Sequence, residues 1–227
     1  MKPTLKLAEA AAPDGVELAL FEHDGTYFLQ SGGGSSLSSD ASAAEEALGR
    51  LACAPFRRVR QPRLLLGGVG LGFAVAAARE ALPQKRATFV VAEPESALLA
   101  WHRAFLGHLH PGQLGDPRLD WRREALPEAL RNARDAYHAI LIDARMDAGL
   151  AKVVDARDLP RPSFLDRARE GLKNGGLLAV CSRVSGTAFE RRLLQAGFDV
   201  SRESVPPSRK GKRRRLHTIW LACKAGG

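Results

Sequence analysis

The chain has 227 residues, of which 45% are hydrophobic and 26% are charged. These proportions are typical of a globular chain with a full core, and they exclude a disordered tail protein, a collagen-like chain and a disulfide-stapled one. Lysines and arginines number 34 against 25 aspartates and glutamates, which gives a formal net charge of +9.

The sequence lacks the features of membrane insertion and secretion. No stretch reaches the roughly eighteen uncharged apolar residues that a membrane helix needs. The charged start of the chain is not followed by the apolar segment of a secretory signal. Cys53, Cys181 and Cys223 are odd in number and far apart, which favours free thiols in a reducing compartment. We therefore expect a cytoplasmic protein that does not bind membranes.

The first thirty residues are predicted to form a small β-element. Hydrophobic and polar residues alternate over residues 16–20, a turn sequence follows at 23–25, and residues 26–29 are again strand-like. This pattern predicts a β-hairpin. The glycine- and serine-rich residues 31–36 predict a flexible break after it.

A helix is predicted after the break. Ser42 and Glu45 have the spacing of a capping box, which predicts a helix that begins there and runs to about Ala54. The hairpin and this helix form a predicted unit of residues 1–54, ahead of a main domain of residues 55–227.

From Pro62 onward, short apolar runs alternate with helical segments. The predicted strands are residues 63–66, 88–92, 119–121, 139–142 and 177–180. The predicted helices are residues 73–82, 94–109, 127–134, 164–172 and 188–196. Strands 198–204 and 216–223 are predicted to close the sheet as an antiparallel hairpin. Apolar strands that alternate with helices indicate a parallel sheet covered on both faces, so the predicted fold class is α/β, a Rossmann-like, doubly wound, mostly parallel sheet.

The loop after the first of these strands contains Gly67, Gly68, Gly70 and Gly72. At this point of a doubly wound sheet, glycines let the backbone approach a nucleotide while helix N–H groups point at it. Glu93 lies at the end of the next strand, where an acid can accept hydrogen bonds from both ribose hydroxyls. These features predict a nucleoside site. The alternative is a tight turn in a fold that has lost its ligand.

The spacing of the glycines distinguishes two classes of ligand that such a loop could bind. A dinucleotide fingerprint needs a third small residue, but Phe73 and Val75 stand at the two candidate positions and are too large for the close helix–strand packing required there. The G-x-G-x-G form is instead the one that S-adenosylmethionine-type folds use.

Six segments of the chain carry a resemblance to a known family. They are residues 65–72 (LLGGVGLG), 91–94 (VAEP), 116–119 (DPRL), 139–143 (AILID), 172–178 (LKNGGLL) and 217–222 (HTIWLA). In order and spacing the chain resembles the spermidine-synthase family, the polyamine aminopropyltransferases, within the class I S-adenosylmethionine-dependent methyltransferase superfamily. The N-terminal hairpin and the helix with Glu45 and Glu46 lie where that family has its small β-element and its acid-bearing helix.

The resemblance implies a co-substrate and a reaction class. The glycine loop would bind S-adenosylmethionine, decarboxylated S-adenosylmethionine or the thioether product, and Glu93 would bind the ribose. Glu124 and Ala125 stand where the family has a Gly-Asp-Ala that contacts adenine. The protein would then be a transferase that moves a methyl or an aminopropyl group to a small-molecule acceptor.

Asp143 falls where the family places the acid that deprotonates the attacking amine. Its alternative role is to cap the next loop. The family continues with a second aspartate, a proline and a Gly-Pro, whereas this chain has Arg145, a displaced Asp147 and then Lys152 and Arg157. A polyamine is a polycation and needs a channel lined with carboxylates. The sequence therefore favours a relative with another acceptor, or a non-catalytic one, over spermidine synthesis.

Three histidines, His102, His108 and His110, lie close together in the sequence. No fourth ligand shares their spacing, so no metal site is predicted and solvated histidines at a helix end are expected.

Most of the net positive charge lies near the C-terminus. Residues 201–227 hold eight basic residues and one acidic residue, and six of the basic ones lie from Arg209 to Arg215. Such a run attracts phosphates, so the alternative function is a nucleic-acid methyltransferase or an RNA or DNA binder. The other interpretation is a solvated loop. A homodimer is left open.

Overall fold

The computed structural model describes residues 3–12, 15–32, 35–145, 160–183, 186–206, 208 and 216–226. These residues form a small antiparallel sheet near the N-terminus and a seven-stranded mixed sheet flanked by helices. No helix in these ranges is both long and apolar enough to cross a membrane.

The N-terminal sheet has four antiparallel strands in sequential order. They are β1 (Leu5–Ala11), β2 (Glu17–His23), β3 (Thr26–Ser31) and β4 (Ser35–Ser38). The predicted hairpin is β2–β3, closed by Asp24 and Gly25, whose φ angles are 50° and 81°. Positive φ at both turn residues matches the right-handed twist of the two strands.

Two predictions for this region were incomplete or wrong. β1 was not predicted, because its alanines, lysine and glutamate have low strand propensity and pairing with β2 outweighs that preference. The predicted break at residues 31–36 is wrong in its second half, since β4 pairs with β3.

Helix α1 (Ala43–Cys53) follows the small sheet. A Cβ at Gly49 would lie only 2.6 Å from the carbonyl oxygen of Ala74, so the glycine allows close packing of α1 against the first helix of the large domain. The predicted capping box is wrong. The Ser42 hydroxyl donates to Glu46 at 2.8 Å, while Glu45 is buried and lies in the candidate site described below.

The large sheet confirms the predicted doubly wound architecture. Its strands are β5 (Arg63–Gly67), β6 (Thr88–Ala92), β7 (Leu119–Arg122), β8 (Tyr137–Asp143), β9 (Leu172–Ser182), β10 (Phe198–Val205) and β11 (His217–Lys224). The order is β7-β6-β5-β8-β9-β11-β10. Strands β5 to β9 are parallel, and β10 and β11 form the antiparallel closing hairpin.

Helices cover both faces of this sheet. They are α2 (Phe73–Ala81), α3 (Ser96–Trp101), α4 (Leu126–Ala129), α5 (Pro162–Gly171) and α6 (Thr187–Gln195). The predicted helix 94–109 is wrong beyond Trp101, where a π-helical turn (His102–Leu106) and a 3-10 turn (Gly107–Leu109) follow. The predicted helix 127–134 is shorter, since α4 ends at Ala129.

Successive residues of the central strands point to opposite faces and build two hydrophobic cores. Leu64 and Leu66 pack into one core and Leu65 into the other, as expected for a parallel sheet buried on both sides. The first core also contains Leu18 and Leu29 of the small sheet, so the small sheet lies against the large domain. The predicted division after residue 54 stays a prediction.

Candidate functional site

A cleft opens at the carboxyl ends of β5, β6 and β8, and residues of the small sheet and α1 line its other side. The chain passes from β5 to β6 on one side and reaches β8 on the other. In doubly wound sheets, such a switch in strand order is where ligands bind. Of the predicted site residues, Gly67, Gly68, Gly70, Glu93 and Asp143 line this cleft together.

The glycine loop leaves the end of β5 in a conformation that favours glycine. Gly68 and Gly70 have φ angles of 87° and 51°. A Cβ at Gly70 would lie 3.1 Å from Leu37 Cδ1 and 3.7 Å from Glu45 Oε1. A larger side chain at Gly70 would therefore enter the cleft, so the bare backbone is what keeps the space open for a ligand.

Gly72 supports the loop and lies outside the cleft lining. A Cβ there would lie 2.7 Å from His110 Cδ2 and 2.8 Å from Gln113 Nε2. His102 Nε2 donates to the Gly70 carbonyl oxygen at 2.9 Å, and His110 Nε2 donates to that of Leu71 at 3.0 Å. Burial lowers the pKa of both histidines. The predicted solvation of His102 and His110 is therefore wrong, because both donate hydrogen bonds to backbone carbonyl groups of the glycine loop.

Glu93 is buried at the end of β6 and is oriented by two backbone N–H groups. The N–H of Val69 donates to Glu93 Oε2 at 3.0 Å, and that of Glu95 donates to Oε1 at 2.9 Å. Burial raises the Glu93 pKa to about 7, although these two hydrogen bonds oppose the shift. Each carboxylate oxygen keeps a second acceptor position, so Glu93 can still accept hydrogen bonds from a ligand.

The segment predicted to contact adenine lies beside the cleft. Glu124 Oε1 is 3.5 Å from Arg122 Nη1, and neither Glu124 nor Ala125 is among the described residues that line the cleft. Leu126 lines it instead, with its Cδ2 atom 2.8 Å from the position that a Cβ at Gly67 would take. The adenine contact at Glu124 and Ala125 stays a prediction.

At the end of β8, Asp143 forms an ion pair with Arg145. Arg145 Nε donates to Asp143 Oδ1 at 2.8 Å, and Nη2 donates to Oδ2 at 2.5 Å. The Arg145 backbone N–H donates to Oδ1 as well, at 3.1 Å. Arg145 is buried, and its pKa is raised mainly by Asp143 against the opposing effect of burial. Both oxygens of the predicted general base therefore face a guanidinium.

Glu45 completes this end of the cleft, and sequence reasoning did not identify it as a site residue. Its Oε1 lies 3.9 Å from Arg145 Nη2, and its Oε2 has no hydrogen-bond partner among the described residues. Burial raises the Glu45 pKa to about 8, while Arg145 opposes the shift. Helical periodicity could have indicated that Glu45 is buried, because it falls on the same face of α1 as the buried Leu48 and Ala52.

Some predicted features lie outside the described residues. These are the altered segment after residue 145, with Asp147, Lys152 and Arg157, and the basic run from Arg209 to Arg215. Among the residues that are described, no group of three or more histidines, cysteines, aspartates or glutamates is placed to hold a metal ion.

Comparisons with known proteins identify the fold of this chain through its structure. No family model and no curated protein matches the sequence. Among solved structures, a spermidine synthase in complex with the transition-state analogue AdoDATO superposes with a TM-score of 0.71 at 15% identity. The match covers 98% of this chain and 73% of that one. The chain has the spermidine-synthase fold.

Two further structures agree with this assignment. The spermidine synthase from Thermotoga maritima matches with the same TM-score of 0.71, 15% identity and coverage of 98% and 73% of the two chains. A precorrin-6y C5,15-methyltransferase from Geobacter metallireducens matches with a TM-score of 0.53 and 14% identity, over 78% of this chain and 87% of that one. The resemblance predicted from the six sequence segments is thus confirmed as a likeness of fold to spermidine synthases and methyltransferases.

Proposed function

We propose that the cleft binds S-adenosylmethionine or its decarboxylated form, and that the protein is a transferase acting on an acceptor bound beside Asp143. The observation that carries this proposal is the joint placement of the glycine loop and the oriented Glu93 carboxylate at the switch point of the sheet. Neighbours of the same fold include a spermidine synthase bound to the analogue AdoDATO and a methyltransferase.

The residues around the loop fit an adenosyl group. Glu93 can accept hydrogen bonds from the two ribose hydroxyls, and the open backbone at Gly68 and Gly70 permits close approach. Leu98 and Leu126 add apolar walls beside them, which suits the base and the thioether carbons of such a ligand.

The acceptor would approach from the side of Asp143 and Glu45. A sulfonium bound here would supply an electrophilic carbon that bonds to the acceptor as its C–S bond breaks, and it would leave as a neutral thioether, which is compatible with the largely apolar wall of the cleft. Removal of a proton from the acceptor by Asp143 stays a prediction, because Arg145 already donates to both carboxylate oxygens. An acceptor that uses Asp143 must share or displace those donors.

Ligand-dependent thermal stability tests the proposal. A ligand that binds only the native state raises the melting temperature, so methylthioadenosine, S-adenosylmethionine or decarboxylated S-adenosylmethionine should raise it in the wild type. Gly70→Val should abolish the rise, because its side chain would fill the cleft. Gly25→Val is the matched control, since Gly25 also has a positive φ but has open space around its Cβ position. The absence of a shift with all three ligands in the wild type would refute the proposal.

The alternative of nucleic-acid binding rests on the charge of the run from Arg209 to Arg215. Its test is the affinity for a short RNA or DNA as a function of salt concentration. Phosphate contacts require affinity to fall steeply with salt, so a flat log–log plot would exclude them.

A further inference from the structure

The acceptor end of the cleft has a buried cation, Arg145, between the buried Glu45 and the partly buried Asp143. Arg145 is 5% exposed, and its guanidinium pairs with Asp143 on one side and lies 3.9 Å from Glu45 on the other. Asp143 and Glu45 both line the cleft. A charge of this kind is costly to bury unless its partners satisfy it, and here two guanidinium donors bond to Asp143.

The position of Arg145 matters because of what else could bind there. Two carboxylates that face a cleft are what an ammonium group of a substrate would use as partners. In this chain the Arg145 guanidinium already pairs with Asp143 through two hydrogen bonds, and the Arg145 backbone N–H donates a third. The chain thus supplies its own cation at the point where a cationic acceptor would pair.

The charge at this end is close to balanced without a ligand. Asp143 and Arg145 cancel each other, and burial favours the neutral acid at Glu45. Among the described residues, the other titratable and charged neighbours include the partly buried Glu46, His217, whose pKa burial lowers to about 4, Cys181, whose pKa burial raises, and the exposed Arg183. A further ammonium beside Asp143 would therefore meet repulsion from Arg145, and the Asp143 carboxylate that could offset it is already paired.

We propose that Arg145 is a specificity-determining residue that excludes diamines and polyamines and leaves the site to an acceptor whose reacting end is neutral or anionic. This inference rests on the proposed function for the nature of the transferred group. The exclusion of diamines depends only on the Asp143, Arg145 and Glu45 cluster.

Calorimetric titration of putrescine, a four-carbon diamine, into wild type and Arg145→Gln tests this role. The wild type should show no saturable binding at millimolar putrescine. Arg145→Gln leaves the Asp143 carboxylate without its cation and should bind putrescine at least about tenfold more tightly, since one buried positive charge has been removed at close range.

Arg122→Gln is the matched control. Arg122 pairs through Nε and Nη2 with Asp120, two residues earlier, as Arg145 pairs with Asp143. Of the two aspartates, Asp143 lines the cleft and Asp120 does not. Arg122→Gln removes the same charge from the protein and should not create putrescine binding. Arg145→Lys keeps the cation and should also remain without binding.

Two results would overturn the inference. One is saturable putrescine binding by the wild type. The other is a folded Arg145→Gln protein that binds putrescine no better than Arg122→Gln does. If Arg145→Gln does not fold alone, restoration of its cooperative melting by added putrescine supports the inference, and failure of putrescine to restore it at any concentration refutes it.

Failure of the inference about Arg145 can be distinguished from failure of the proposed function. Each putrescine titration is carried out with and without methylthioadenosine, and methylthioadenosine binding is measured separately on the same wild-type protein. Absence of methylthioadenosine binding would refute the adenosyl site, whereas the putrescine results without it would still decide the role of Arg145.

Discussion

Replacing Glu45 with glutamine should make the protein more stable, and the gain should grow with pH. Two structural observations conflict over the charge of Glu45, because burial favours the neutral acid and nearby Arg145 favours the ionised form. Burial should prevail. The Arg145 donors are directed at Asp143, and its Nη2 atom is 3.9 Å from Glu45, too far for a hydrogen bond.

The expected gain in the free energy of unfolding follows from the shift in the Glu45 pKa. Moving the Glu45 pKa from 4.5 to about 8 corresponds to on the order of 5 kcal/mol, at about 1.4 kcal/mol per tenfold change. Because the folded-state pKa is raised, the associated stability is complete below about pH 4.5 and is lost as the pH rises through about 8. Glutamine cannot ionise, so Glu45→Gln avoids this loss.

Urea unfolding of wild type and Glu45→Gln from about pH 5 to about pH 8.5 measures the effect. The two proteins should have similar stability at the acidic end, and the variant should be more stable by several kcal/mol at the basic end. Glu46→Gln removes the same charge from the next residue, which is only partly buried, and supplies the baseline. A variant that loses stability relative to wild type as the pH rises would show that Glu45 is ionised and paired with Arg145, contrary to this reasoning.

Two other substitutions give sharp expectations. Glu93→Ala should weaken methylthioadenosine binding by about 1.5–3 kcal/mol, and calorimetry of the wild type should show affinity rising as the pH increases through about 7, because the ribose hydroxyls bond to the ionised form. A 2′,3′-dideoxy analogue that binds the wild type as tightly would contradict the ribose role. Asp143→Asn leaves the buried Arg145 without its anion and should lower the free energy of unfolding in urea by about 3–5 kcal/mol, while methylthioadenosine binding persists. A loss below about 1 kcal/mol, the range of an exposed pair, would mean that the ion pair is solvated.

The features that the sequence predicted correctly are those encoded by neighbouring residues. The apolar run Leu64, Leu65 and Leu66 followed by glycines indicates a buried strand and a tight loop, and Glu93 follows directly from the end of the next strand. The capping-box interpretation of Glu45 failed because the same pattern fits a polar side chain at the helix start and one that points into a cleft. Glu46, one residue later, accepts the hydrogen bond from the Ser42 hydroxyl instead.

The order of the strands and helices of the large domain, its doubly wound class and the position of the glycine loop could be predicted from the sequence, because strand and helix periodicity and glycine spacing are local properties. The contact of Glu45 with Arg145, a hundred residues away in the chain, and the support of Gly70 by His102 arise from tertiary packing. Burial and ion pairing depend on which side chains the packing brings together. For that reason the charge balance at Asp143, on which the choice of acceptor depends, became visible only in the folded chain.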